Sequence, residues 1–234
     1  MEVQEVLLRG VSMQMRFQPS PRFMDVRGTM ADHLLGEFGL TEWSVGPEVT
    51  VTTRDQARVF VVGGAELRVH YQLVEDREAT IQEASSFAQY VIEEMRIGDV
   101  GFVGVRTYWL AAVDSLADLR DTMVKHLGGG AADVASIVGK PVSDVGWTFE
   151  MHNDDPKVTL RLGPMTADQL IGYGLFAEQA RDRLPPNALF FDVDRIMNTE
   201  VVPAADATDR MRGSFEKSTE LGDKLARALE KLLT

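Results

Sequence analysis

Two carboxylates stand two positions apart, Asp192 and Asp194, in the run Leu189-Phe190-Phe191-Asp192-Val193-Asp194-Arg195. Residues i and i+2 of a strand point to the same side. The pair could therefore begin a magnesium site or act as a general acid and base. Glu150, His152 and Arg161 fall on the polar positions of the two strand-like runs that precede it. If those runs neighbour the Asp-bearing strand, all five residues share one polar sheet face. The plainer reading of such a face is a cross-strand ion-pair ladder. The matching positions earlier in the chain are His70 and Gln72, which supply no carboxylates, so a symmetric metal site is not expected.

A second candidate is the stripe Asp25, Thr29 and His33, which recurs as Asp118, Thr122 and His126. Four-residue spacing puts each set on one helix face. Eight residues of helix span about 12 Å, however, which is too far for an Asp–His hydrogen bond. Helix-end chemistry accounts for the stripe better: an acid near the N-terminus, an imidazole in the last turn and Gly36 or Gly129 as the cap beyond. Gly128-Gly129-Gly130 follows a helix pattern and precedes no Lys-Ser/Thr, so it is not a phosphate loop. The sequence contains no serine nucleophile elbow and no His-Glu-x-x-His, and its four histidines lack metal-ligand spacing. No catalytic residue, metal or cofactor is expected.

The elements that position these residues come in two sets. Asp25–Gly36 and Asp118–Gly129 lie 93 residues apart and agree at seven of twelve positions. Ahead of each copy is an apolar strand pattern, Gly10–Phe17 and Gly104–Trp109. Behind each come three strand-like runs, 43–53, 57–63 and 66–74 in the first half, 143–152, 157–163 and 188–196 in the second. A helix pattern closes each half, at 79–97 and 205–232. Residues 1–98 and 99–234 thus both read β-α-β-β-β-α, a domain-sized tandem duplication rather than a solenoid period. The short Gly98–Gly101 link makes the halves pack as one unit. The copies differ at 163–188, where the second half carries an insertion in place of the Gly63-Gly64 turn. Thr166 and Gln169 are spaced as a capping box for a helix over 167–182.

Composition narrows the class. The 234 residues are 44% hydrophobic and 26% charged, as in an ordinary globular chain. There is no cysteine, which excludes disulfides and fits a cytoplasmic protein. The apolar runs are too short to span a bilayer, and the acidic, strand-like Met1–Val6 does not read as a signal peptide. Net charge is −12, shared equally by the halves: nine Arg, no Lys and fifteen acidic residues in 1–98, fifteen basic and twenty-one acidic in the rest. Neither half carries the Lys/Arg footprint that phosphate contacts require, so nucleic acid is not an expected partner. Met13, Met15, Met30, Met123, Met151 and Met211 fall on predicted apolar faces, where methionine fills irregular cores.

Two resemblances follow from these patterns. The duplicated β-α-β-β-β-α unit resembles the TATA-binding-protein-like and helix-grip group of α+β folds, although the acidic balance argues against DNA binding. The span from Val103-Gly104-Val105-Arg106 through Phe191-Asp192-Val193-Asp194 to Gly213-Ser214-Phe215-Glu216 is similar to an uncharacterised, sporadically distributed family of bacterial proteins. That match covers the second half and implies no activity.

The expected fold is α+β: two antiparallel sheets related by a pseudo-twofold, each backed by its own helices, able to merge into one curved sheet. The leading expectation for function is a non-catalytic, acidic binding protein that recognises another protein, with the 205–232 helix available for a homodimer. The alternative is a small-molecule-binding protein or enzyme with a pocket between the sheet and the 167–182 helix. Its lining would be Trp109, Glu150, Arg161, Tyr173, Phe176, Asp192 and Asp194.

Overall fold

Alternation along the strands decides the architecture. In β1 (Leu7–Phe17), Val11, Met13, Met15 and Phe17 are buried while Ser12, Gln14 and Arg16 face away. A strand with one apolar face needs a cover on that face alone. The computed structural model describes residues 4–128, 137, 144–151, 156–198 and 201–233. It is an α+β structure in which a ten-stranded antiparallel sheet is covered by helices.

The remaining strands are β2 (Glu42–Val45), β3 (Glu48–Thr52), β4 (Arg58–Gly63), β5 (Glu66–Gln72), β6 (Asp99–Ala112), β7 (Trp147–Met151), β8 (Lys157–Thr166), β9 (Asn187–Met197) and the short β10 (Val202–Pro203). Their order is β2-β3-β4-β5-β1-β6-β9-β8-β7, with β10 paired to β6. Two sheets were expected as a possible pair. The structure joins them through β1 and β6, which pair antiparallel from Leu7–Leu110 to Phe17–Val100. Outward from that pair the order matches on both sides, β1-β5-β4-β3 against β6-β9-β8-β7, and β2 has no counterpart among the described residues. The run expected as one strand over 43–53 is split at Gly46-Pro47 into β2 and β3, because proline cannot donate to a ladder.

Among the described residues one face is covered by the helices α1 (Phe23–Glu37), α2 (Arg77–Met95), α3 (Leu116–Leu127) and the 30-residue α5 (Ala204–Leu233). Their buried residues, among them Met30, Phe87, Met123 and Phe215, form one core with Val11, Met13, Val69 and Trp109 of the sheet. Ile81, Ala84, Ala88, Val91 and Met95 make the buried stripe of α2, as its periodicity predicts. Met13, Met15, Met30, Met123 and Met211 are core residues, whereas Met151 is exposed on the edge strand β7.

Glycine in a helix interior is costly, but Gly222 of α5 has a packing role. A Cβ there would lie 2.2 Å from the indole of Trp109, so only glycine admits the ring. Helix ends also depart from expectation. Asp25 and Asp118 sit in the first turns, where they oppose the positive end of the dipole. The side-chain cap of α3 is Ser115, which accepts from the Asp118 amide, and α1 has none. Gly36 lies inside α1 and the left-handed residue is Gly39. Gly129 lies outside the described residues. His33 stacks on Tyr90, with ring centroids 3.8 Å apart, and so ties α1 to α2.

The opposite face of the sheet is polar over the first half and covered over the second by the loop of the β8–β9 hairpin. That loop holds α4 (Ala167–Gly172) and a 3-10 helix (Glu178–Arg183). The Thr166–Gln169 capping box is present as predicted. The single helix predicted over 167–182 is not. The chain turns at Tyr173-Gly174, with Gly174 in the left-handed region, so that Leu175 and Phe176 drop into a second apolar cluster. Burying those two side chains outweighs the helical spacing that the sequence also satisfies. Among the described residues no helix is long and apolar enough to cross a membrane.

Candidate functional site

β9 supplies the centre of the site because its two faces differ. Leu189, Phe191 and Val193 face the helices, while Phe190, Asp192 and Asp194 face the other way. β8 lies beside it in a register that sets Arg161 opposite Asp192 and Thr159 opposite Asp194. β6 lies on the other side, with Tyr108 opposite Asp192 and Arg106 opposite Asp194. The two arginines thus flank the two aspartates on one polar face.

The ion pairs cross this register. Arg106 reaches diagonally to Asp192, donating from Nε at 3.0 Å and from Nη2 to the same Oδ2. Arg161 donates to Asp192 Oδ1 at 3.4 Å and stands 3.9 Å from Asp194. Asp192 has no exposed side-chain surface, whereas Arg161 keeps 40% of its own. Both oxygens of the buried carboxylate are therefore engaged, each by a different guanidinium. Burial pushes the Asp192 and Asp194 carboxyls above the usual carboxylate range, against the opposing pull of the two arginines. Desolvation acts to lower Arg106 as well, but Asp192 more than offsets it and the guanidinium holds its proton more firmly than usual.

The hairpin loop roofs this face and leaves a cavity of about 540 Å³ under it. Arg106, Arg161 and Asp192 line it from the sheet, and Gln169 and Tyr173 from the loop. Met165, Leu175 and Phe190 provide apolar wall, and Asp144 stands on the lining beside β7. The roof rests on the first half of the chain. Gln72 Oε1 accepts from the Ala177 amide at 2.7 Å, and His70 hydrogen-bonds the Leu175 backbone. Burial depresses His70, with Arg106 adding to the effect. Between these anchors the Tyr108 ring lies over Gly10, where a Cβ would sit 2.7 Å from the ring. β1 meets this point with a register shift between Leu8 and Gly10.

Of the residues singled out from sequence, Arg161, Asp192 and Tyr173 line the cavity, and Tyr173 is 66% exposed. Asp194 adjoins it through Arg161. Glu150 is exposed on the edge strand β7, opposite Thr159 and away from the lining. His152 lies outside the described residues. Phe176 is buried beside Tyr108 as part of the roof's own core. Trp109 belongs to the opposite face: it is buried against Gly222, stacks on Phe191 and donates to Thr107 Oγ1 at 3.1 Å. Strand alternation explains the error, since Trp109 and Tyr108 are neighbours and only Tyr108 points to the roof.

Sequence reasoning missed Arg106, the firmest partner of Asp192. Its signal was present in the alternation Val105-Arg106-Thr107 on a strand whose other face is apolar, but the β6–β9 pairing that gives it meaning is non-local. Among the described residues no group of three or more His, Asp or Glu side chains could hold a metal ion. When the chain is compared with known proteins, no family model matches it and neither does any curated protein.

Proposed function

We propose that the protein binds a small molecule between the sheet and the β8–β9 loop. The observation that carries this is the convergence of Arg106, Arg161, Gln169 and Asp192 on one cavity with apolar walls. Its volume lies within the roughly 300–1,000 Å³ typical of small-molecule sites. The reading is one of binding, because both oxygens of Asp192 are committed to guanidinium donors, which suits a group that positions others better than one that takes a proton. Native mass spectrometry of the protein isolated gently from its own host tests it. The expected result is a stoichiometric small-molecule adduct that a cavity-filling Leu175→Trp variant loses. Failure to find an adduct under any gentle condition, with the chain at its bare mass, would count against the site.

Recognition of a protein partner is the second reading. It is favoured by β2, at the end of the strand order, where Trp43 is 62% exposed beside a backbone edge that is unpaired among the described residues. The same spectra test it: a second chain, or a mass twice the 25.9 kDa of the monomer, supports it. The tandem-duplication reading also belongs here. It is supported by the 93-residue sequence repeat and by the matching strand order on either side of the β1–β6 pair. On that reading one copy kept a short turn and the other acquired the roof.

A further inference from the structure

The charge balance of the cavity restricts what can occupy it. Two guanidiniums face it, and each is already answered by a carboxylate, Arg106 by Asp192 and Arg161 by Asp192 and Asp194. Asp144 adds a further negative group on the lining. An incoming anion therefore finds no net positive field, and an incoming cation meets two guanidiniums. What the site offers is donors. The contacts of Arg161 to the two aspartates both run through Nη1, and the guanidinium carries five N–H groups in a planar fork. Gln169 is oriented by its capping box: Oε1 accepts from the Thr166 amide, so the amide nitrogen is the end available to the cavity. The rest of the lining includes apolar and aromatic wall from Phe190, Leu175 and Tyr173.

Resting on the small-molecule reading above, we propose that the ligand is an uncharged, planar compound bearing carbonyl-type acceptors. Its acceptors take hydrogen bonds from Arg161 and Gln169, and its flat body lies against Tyr173 and Phe190. Asp192 and Asp194 serve this recognition by cancelling the charge of the arginines while leaving their N–H groups to donate. The general cost behind the selectivity is that of desolvating an ion where no counter-charge remains to receive it.

Benzamide and benzoate have the same shape and differ in charge, so they test the proposal directly. The full chain is labelled at its methionine methyl groups and titrated with each compound while the Met165 signal is followed. Met165 lines the cavity, and Met13, buried on the far side of the sheet, reports on the fold. The expected result is a Met165 shift that saturates at a benzamide concentration at least about fivefold below that of benzoate, a difference of roughly 1 kcal/mol. Arg161→Met should weaken benzamide about tenfold with Met13 unmoved, and Arg161→Lys, which keeps the charge without the fork, should restore little. Benzoate binding as tightly as benzamide overturns the ligand class and leaves the cavity reading standing. Benzamide affinity unchanged in Arg161→Met does the same. If neither compound moves Met165 up to its solubility limit, the proposal and the cavity reading fall together.

Discussion

The face of the sheet turned away from α1, α2, α3 and α5 carries an ion-pair ladder in each half, and the two are built differently. In the first half Arg68 bridges Glu48 at 2.9 Å and Glu66 at 3.3 Å, and Arg16 adds a longer contact to Glu66. Arg16, Arg68 and Glu48 are open to water, and Glu66 is half-buried. In the second half Arg106 and Arg161 bridge a carboxylate with no exposed surface, under the roof of the β8–β9 loop. Both ladders join arginines to carboxylates on one face of the sheet. Arg68 lies on the same strand as Glu66 and reaches Glu48 across β4, whereas Arg106 and Arg161 reach Asp192 from the strands on either side of it. The larger difference lies in solvent. Exposed pairs contribute about 0–1 kcal/mol. A buried pair loses about 3–5 kcal/mol when one partner is removed, because the other is left charged and dry. The comparison teaches that arginine–carboxylate pairing on a sheet face is surface decoration in one half and a structural commitment in the other.

The sharpest way to break the comparison is to remove Arg106. Arg106→Ala leaves Asp192 with the longer Arg161 contact alone, and the expected loss of stability is about 3–5 kcal/mol by urea unfolding at pH 7. The pH dependence gives a second reading of the same variant. Asp192 already sits above its ordinary range, so the folded state binds its proton more readily than the unfolded chain. Losing a cation raises it further. A raised carboxyl gains stability as pH falls, so the deficit of Arg106→Ala should narrow between pH 7 and pH 5. A deficit below about 1 kcal/mol that is constant with pH would make the two ladders equivalent.

The roof itself can be loosened from the first half. Gln72→Ala removes the acceptor of the Ala177 amide and is expected to cost about 1–2 kcal/mol, with faster amide exchange confined to residues 173–184. Exchange that rises equally across the sheet would show that Gln72 supports the core and not the roof.

Much of this arrangement could be read from the sequence, for identifiable reasons. The strands and the buried stripe of α2 follow period-two and helical alternation, which are local. The Asp192–Arg161 pairing follows from two adjacent strands with a two-residue offset in side-chain direction. The join of the halves through β1 and β6, the place of Arg106 and the landing of the roof on His70 and Gln72 depend on contacts between residues about 80 to 105 positions apart. No local spacing encodes them. Trp109 lies off the pocket because β6 alternates and its aromatic neighbour Tyr108 is the one that points to the roof, and nothing near Trp109 in sequence announces the Gly222 notch that accepts it.

His70 extends the comparison to pH. It is a buried titratable contribution of the first half to the roof, hydrogen-bonded to Leu175 and edge-on to Tyr108, beside the exposed Glu75–Arg183 ion pair. Its folded value lies below the ordinary 6.5, so the unfolded chain takes up its proton first. The stabilising contribution is complete above pH 6.5 and is lost as pH falls through the window below it. The expected observation is a decline in melting temperature from pH 7 toward pH 5 that is flatter in His70→Gln. An equal decline in both proteins would assign the effect to other groups.

The smallest expected effect lies in the open ladder and completes the contrast. Arg68→Ala should change stability by no more than about 1 kcal/mol, and added salt should shrink even that, since exposed charges are screened within about 10 Å at 0.1 M. Double-mutant cycles put the two ladders on one scale. The Arg68–Glu48 coupling is expected at a few tenths of a kcal/mol, and that of Arg106–Asp192 at several times more and nearly insensitive to salt. The cycle removes the cost of each lone truncation, so it isolates the pair from the packing around it. Were the exposed pair to couple as strongly as the roofed one, geometry rather than burial would set the energy. The β8–β9 loop would then have to be explained by what it encloses and not by what it dries.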